Sequence, residues 1–177
     1  VYERLHRLIQ HDVAVYASHL PLDAHPLLGN NARLAAALGL EPTERFGAYE
    51  GVPIGVAGET SLPTAELLAR ADAFATKFGG RARASWMDER RQTQRWAIIT
   101  GAGAGSKEIR DAQARGIDTL IVGEGPHHTT VDAADAGVVI IYAGHYATET
   151  LGVCALADVV GEQFDLPTTF LFLPTGS

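Results

Sequence analysis

The chain has 177 residues, 46% of them apolar, and a net charge of −7. That is enough apolar content for a core in one domain or two small lobes, and it excludes a disordered chain. Its 14 Lys and Arg residues form no block, so the clustered positive charge that a nucleic-acid backbone demands is missing and no nucleic-acid partner is expected.

Cys154 is the single cysteine, which rules out an intrachain disulfide and a thiolate metal cluster. It reads as a small core residue in an apolar helical stretch. No apolar run approaches the length of a membrane span, so no membrane association and a cytoplasmic location are expected. The chain opens on Val1 and its one methionine is Met87. Because the first residues already read as helical, the sequence is expected to begin inside a longer protein.

In chain order, residues 1–11 carry Leu5, Leu8 and Ile9 on one helical face. An apolar β-branched run over Val13–Ser18 predicts a strand. A loop holding His19, Asp23 and His25 follows, stiffened by Pro21 and Pro26. Asn30 or Asn31 is expected to cap a helix over Ala32–Leu38, with Gly39 ending it. Composition shifts after Leu40, where a lobe boundary is expected. Val52–Ala57 predicts a strand, and residues 64–77 a helix with Leu67, Leu68, Ala71, Phe74 and Phe78 inward, stopped by Gly79-Gly80. Residues 81–86 are a candidate strand, and the charged segment 87–94 reads as an exposed turn.

Residues 96–100 predict a strand running into Gly101-Ala-Gly-Ala-Gly-Ser106. Glycines after a strand let a backbone approach a pyrophosphate, but Ser106 stands where the dinucleotide fingerprint needs its third glycine. Ser106 capping a helix over 107–114 explains the turn equally well. A strand over 116–122, the loop Gly123-Glu-Gly-Pro-His-His128, a helix over 129–136 and a strand from Val139 follow. The order is that of an α/β fold. A mostly apolar helix over 148–163 and a last strand over 168–173 complete the chain.

Two stretches echo each other. Val13-Ala-Val-Tyr-Ala-Ser-His19 is followed after three residues by Asp23, and Val139-Ile-Ile-Tyr-Ala-Gly-His145 is followed after three by Glu149. Each leaves an imidazole and a carboxylate past a predicted strand end, where ligands of open α/β sheets gather. Imidazole with carboxylate suits zinc, manganese or iron. Taken singly, each pair is equally an ordinary polar neighbour, and Glu149 a helix-dipole partner.

His19-Leu-Pro-Leu-Asp-Ala-His25 with Gly29-Asn-Asn31, and Tyr142-Ala-Gly-His-Tyr-Ala-Thr-Glu-Thr150, resemble the dinuclear-metal proteins known as GTP cyclohydrolase 1 type 2, the NIF-three-like family. Gly101-Ala-Gly103 and Gly123-Glu124 fall in the same order, so the resemblance covers nearly the whole chain. It implies two α/β lobes with mixed sheets: residues 1–44 with 124–177 as the metal-site lobe, and 45–123 as an inserted lobe. It further implies a ring-shaped homohexamer and two divalent metal ions per site, at strand carboxyl ends between the lobes. Residue by residue, it makes Asp23, His145 and Glu149 metal ligands and puts His19 close to them. The family's adjacent His pair belongs to a region upstream of the segment matching Val1, and His127-His128 is not that pair.

The resulting expectation is metal-assisted hydrolysis of a small-molecule substrate, with His19 or His127 shuttling the proton, since a free imidazole titrates near ~6.5. The alternatives are a non-enzymatic metal-binding or scaffold protein, and a nucleotide-binding module using the Gly101–Ser106 turn.

Overall fold

The computed structural model describes residues 1–175. Its framework is a six-stranded mixed sheet. In chain order the strands are β1 (Glu44–Tyr49), β2 (Val52–Pro63), β3 (Arg83–Ala84), β4 (Gln92–Ile99), β5 (Thr119–Val122) and β6 (Val139–Tyr142), arranged β1-β2-β4-β5-β6-β3. β4, β5 and β6 run parallel. The β1–β2 hairpin and the short β3 are antiparallel additions at the two edges. The α/β class read from the sequence is the class observed.

Helices cover both faces of this sheet. On one side lie α3 (Asn30–Leu38), α4 (Thr64–Lys77) and α7 (His145–Phe164); on the other lie α5 (Ser106–Ala114) and α6 (His128–Asp135). The period-2 alternation of the parallel strands sorts their side chains. Trp96, Ile98, Ile121 and Ile141 join Leu34, Leu38, Leu67 and Phe74 on the first face. Ile99, Leu120, Val122 and Ile140 join Phe46 and Ile109 on the second. Burial on both faces is why these strands read as continuous apolar runs.

The helix over residues 64–77 lies where its spacing put it, with Leu67, Ala71 and Phe74 buried. α1 (Tyr2–Gln10) is helical as read, yet buries none of its residues. β4 begins at Gln92, inside the segment expected to be an exposed turn. Its polar start hides a buried hydroxyl ladder, in which Thr93 Oγ1 lies 3.0 Å from Thr64 Oγ1 and 2.9 Å from Thr119 Oγ1.

Two expected strands are not strands. Val13–Ser18 joins no ladder, and Val13, Val15 and Tyr16 are exposed. Residues 168–173 are likewise unladdered; Leu173 N–H donates to the Tyr146 hydroxyl at 2.9 Å, and Phe172 packs edge-on against the Tyr146 ring. β-branched and aromatic content favours a strand only where a partner accepts its backbone groups, and among the described residues neither segment has one.

Candidate metal centre

The carboxyl ends of the three parallel strands converge. Glu124 N–H donates to Gly101 O at 2.8 Å and Gly144 N–H to Gly123 O at 3.0 Å, which ties the turns after β4, β5 and β6 together. α7 starts from the last of these turns, so His145 and Glu149 stand one helical turn apart on the same face. The sequence put His145 in a loop before the helix; it is instead the first residue of α7.

Gly101 has φ +63°, and a Cβ there would lie 3.0 Å from Glu149 Oε1 and 3.3 Å from His145 Nε2. Its amide donates to Thr148 Oγ1 at 3.1 Å. The first glycine of the suspected dinucleotide turn thus makes room beside two donor atoms of α7. Ser106 does not cap α5 either: the cap position is Gly105, and Ser106 Oγ donates to Asp132 at 2.6 Å.

His145 Nδ1 lies 2.8 Å from Glu124 Oε1. An ionised carboxylate can only accept, so this contact places a proton on Nδ1 and turns Nε2 to the side of Gly101 and Glu149. Glu124 therefore acts on the site by orienting His145. Neither His127 nor His128 shares that contact; both are exposed at the start of α6.

Asp23 arrives from the other end of the chain, on the single turn α2 (Leu20–Asp23), and is only 7% exposed. Gly29 lets this loop close, because a Cβ there would come within 2.5–2.7 Å of the carbonyl oxygens of Leu22, Asp23 and His25. His25 is part of the same closure: its Nδ1 accepts the amides of Leu27 and Leu28 at 3.2 and 3.0 Å. His19 is exposed at the rim, with Nε2 3.8 Å from Asp23 Oδ2.

Neither Asn30 nor Asn31 is the expected cap of α3. The cap of α3 is Gly29, with no side-chain cap bond. Asn30 and Asn31 lie within the helix, buried. Asn30 Nδ2 donates to Asp23 Oδ1 at 3.0 Å and to Glu149 Oε2 at 3.2 Å, joining the two carboxylates. Asn31 Nδ2 donates to Ile54 O at 2.9 Å, and its Oδ1 accepts the Thr100 amide at 2.9 Å, pinning α3 to β2 and to the end of β4. The available signal was redundancy, since one asparagine suffices to cap a helix and the sequence has two in a row.

Burial, and next the charge of Asp23, push the Glu149 carboxyl above its ordinary range; a hydrogen bond from Thr100 and the nearby His145 and His19 pull it back only in part. A hollow of about 370 Å³ opens on Asp23, Asn30, Glu149 and His19. A second, of about 630 Å³, opens on His145, Tyr146 and Glu149. Glu149 and Val153 line both, and His127 lines neither. Among the described residues no group of three or more His, Cys, Asp or Glu side chains is placed to hold a metal ion. One oxygen of each carboxylate is engaged by Asn30, and His145 Nδ1 by Glu124.

Residues 1–174 match the family model of Duf34/NIF3 (NGG1p interacting factor 3). The chain belongs to this family. Among NIF3 relatives, the "GTP cyclohydrolase 1 type 2 homolog" of Deinococcus radiodurans is 42% identical over 99% of this chain. That of Pyrococcus horikoshii is 42% identical over 98%. The chain spans 65% of the first relative's length and 68% of the second's. The solved structure of a protein described as ybgI, of unknown function, superposes with a TM-score of 0.84 at 35% identity, covering 98% of this chain and 67% of that one. The resemblance read from the GHYATET and HLPLDAH stretches is thereby established. Among the described residues no helix is long and apolar enough to cross a membrane.

Gly101→Ala tests the approach of α7 to the turn after β4. A methyl group at 3.0 Å from Glu149 Oε1, on a backbone with positive φ, forces both donors aside and strains the turn by roughly 1 kcal/mol or more. A melting temperature lowered by a few degrees is expected, with divalent-metal affinity falling at least several-fold; wild-type values for both would show that the turn yields freely.

Proposed function

We propose that this NIF3 protein binds a divalent metal through Asp23, His145 and Glu149 and hydrolyses a small molecule with it. The supporting observation is that carboxylates from distant parts of the chain meet across one amide in a half-buried hollow, while His145 Nε2 faces the space left open by Gly101. Two carboxylates in a desolvated site repel, and a cation removes that repulsion. Mixed nitrogen and oxygen donors suit zinc, iron or manganese. The donor types, imidazole nitrogen with carboxylate oxygen, are those such an ion takes.

When bound, a divalent metal supplies Lewis acidity that makes water a nucleophile at neutral pH. The residues do the rest. Asn30 holds one oxygen of Asp23 and one of Glu149, and the Thr100 hydroxyl also bonds Glu149. Glu124 keeps the proton of His145 on Nδ1, as partners of metal-binding histidines do. His19, exposed at the rim beside Asp23, can carry a proton between the hollow and solvent, a role for which His127 is badly located. The name shared by the relatives makes GTP the first substrate to try. A second metal and assembly as a homohexamer belong to the same reading.

The test is metal content by elemental analysis after exhaustive dialysis, together with GTP hydrolysis before and after a chelator. About one or two equivalents of metal, and turnover that chelator abolishes and metal restores, are expected. A protein that retains no zinc, iron or manganese when offered each in excess refutes the assignment. Tight metal with no turnover on GTP or a broad phosphoester panel leaves the metal site and removes the hydrolase.

A further inference from the structure

We propose that the hollow between the β1–β2 hairpin and α5 binds a small phosphorylated molecule, with Lys107 and Arg110 taking its phosphate. This hollow is about 580 Å³ and shares no lining residue with the two that open on Glu149. Its size falls within the range of small-molecule sites, roughly 300–1,000 Å³. The inference does not depend on the metal reading.

Helical spacing builds one wall. Ile109 and Ala112 turn one side of α5 into the core. Lys107, Arg110 and Asp111, with Arg115 at the C-cap, recur at the spacing of a single helix face, so they share the opposite side and line the hollow. The hairpin supplies the other wall, uncharged from Phe46 to Ala48 and at Pro53, and charged at Arg45.

The sign of the hollow runs against that of the chain. Four cations line it, Arg45, Lys107, Arg110 and Arg115, with two carboxylates, Glu108 and Asp111; the net charge of the whole is −7. Glu44, beside the hollow, is shared by Arg115 at 2.6 Å and by Arg95 at 2.7 Å, so that neighbouring pair leaves the balance unchanged. Like charges gathered in one concavity repel, and a bound anion removes the repulsion. A phosphate monoester carries about −1.5 to −2 at pH 7, which matches the surplus of cations. A single carboxylate would balance only half of it.

The hydrogen bonds show which cations are open to a ligand. Arg115 donates to Glu44 and to Arg45 O at 2.9 Å, lies 3.6 Å from Asp111, and sits 5.1 Å from the Phe46 ring centroid. Arg45 donates to Ala24 O. These two hold the wall together. Glu108 folds back over Gly105 at the start of α5, where a carboxylate suits the helix dipole. Lys107 Nζ donates to Ala48 O at 3.1 Å, which occupies one of the three ammonium protons. Among the described residues Arg110 makes no hydrogen bond or ion pair. Lys107 and Arg110 are both exposed, so a ligand reaches them without rearrangement.

The probe is phenyl phosphate, with benzoate as its carboxylate counterpart. Each is titrated calorimetrically into protein kept in a chelator, so that no metal ion elsewhere takes the phosphate. Saturable binding of phenyl phosphate is expected, tighter than that of benzoate and weakened by salt. Lys107→Gln and Arg110→Gln should each weaken it about tenfold or more, as loss of a hydrogen bond between charged groups does. Arg90→Gln removes an exposed cation outside the hollow and should leave the affinity at the wild-type value. No saturation below about 10 mM phenyl phosphate overturns the proposal. Benzoate binding equally tightly overturns the choice of phosphate, and a loss in Arg90→Gln equal to that in Arg110→Gln overturns the location.

Discussion

If Glu149 is a ligand, as proposed, replacing it with glutamine is expected to weaken divalent-metal binding by roughly 100-fold or more, at or beyond the upper end of what losing an outer partner of a ligand costs. The same change is expected to raise the melting temperature of the metal-free protein at neutral pH by a few degrees. Burial and the neighbouring Asp23 hold the Glu149 carboxyl above its ordinary pKa. Such a group binds its proton more tightly in the folded chain than in the unfolded one. Ionised, it therefore costs stability, and that cost develops as pH rises from the unfolded value of about 4.3 through the raised folded one. Glutamine removes the charge, so the variant's advantage should be present at pH 7.5 and gone by about pH 4. Calorimetric titration with Zn²⁺ and thermal melts at the two pH values read both effects. Unchanged affinity would end the role of Glu149 as a ligand, and a destabilised metal-free variant at pH 7.5 would end the account of a repelling carboxylate pair.

The largest loss of stability is expected from Trp96→Ala, about 3–5 kcal/mol by comparison with other buried aromatic truncations, or roughly 10 °C in melting temperature for a chain of this size. Trp96 is fully buried in β4, at the heart of the face shared with α3, α4 and α7. Gly58 on β2 leaves room for its ring, since a Cβ there would lie 2.8 Å from Trp96 Cζ2. The strand that holds Trp96 also delivers Thr100 and Gly101 to the candidate site, so on the proposed reading metal affinity should fall with stability. Trp96→Phe makes a sharper comparison. The indole Nε1 is buried without a hydrogen-bond partner, so phenylalanine loses volume but also removes an unsatisfied donor, whose desolvation costs about 1–3 kcal/mol. Denaturant melts should put Trp96→Phe much closer to wild type than Trp96→Ala; equal losses would mean that ring volume alone decides.

Much of this protein was legible in its sequence. The runs at Trp96–Thr100, Thr119–Val122 and Val139–Tyr142 are apolar on both faces, because parallel strands covered on both sides have no solvent side to encode. The helix at residues 64–77 carries its buried face at a regular spacing. The stretches around Asp23, His145 and Glu149 carry the family in their residue order alone, since that order survives without knowledge of the contacts it serves.

Tertiary structure decided the rest. Val13–Ser18 and residues 168–173 have the composition of strands, but a strand exists only where another chain segment completes its hydrogen bonds, and that is a fact about neighbours. The expected likeness of the two imidazole–carboxylate pairs dissolves for the same reason: His145 and Glu149 share a helix face after a true strand, whereas His19 and Asp23 flank one helical turn after an unpaired segment. Asn30 and Gly101 had sufficient local explanations as a cap and a turn. Their actual service is to contacts between α3, α7 and the end of β4. Local pattern records what a residue does to its own backbone; which distant carboxylates an amide joins, and which side chains a glycine makes room for, is set only when the helices close on the sheet.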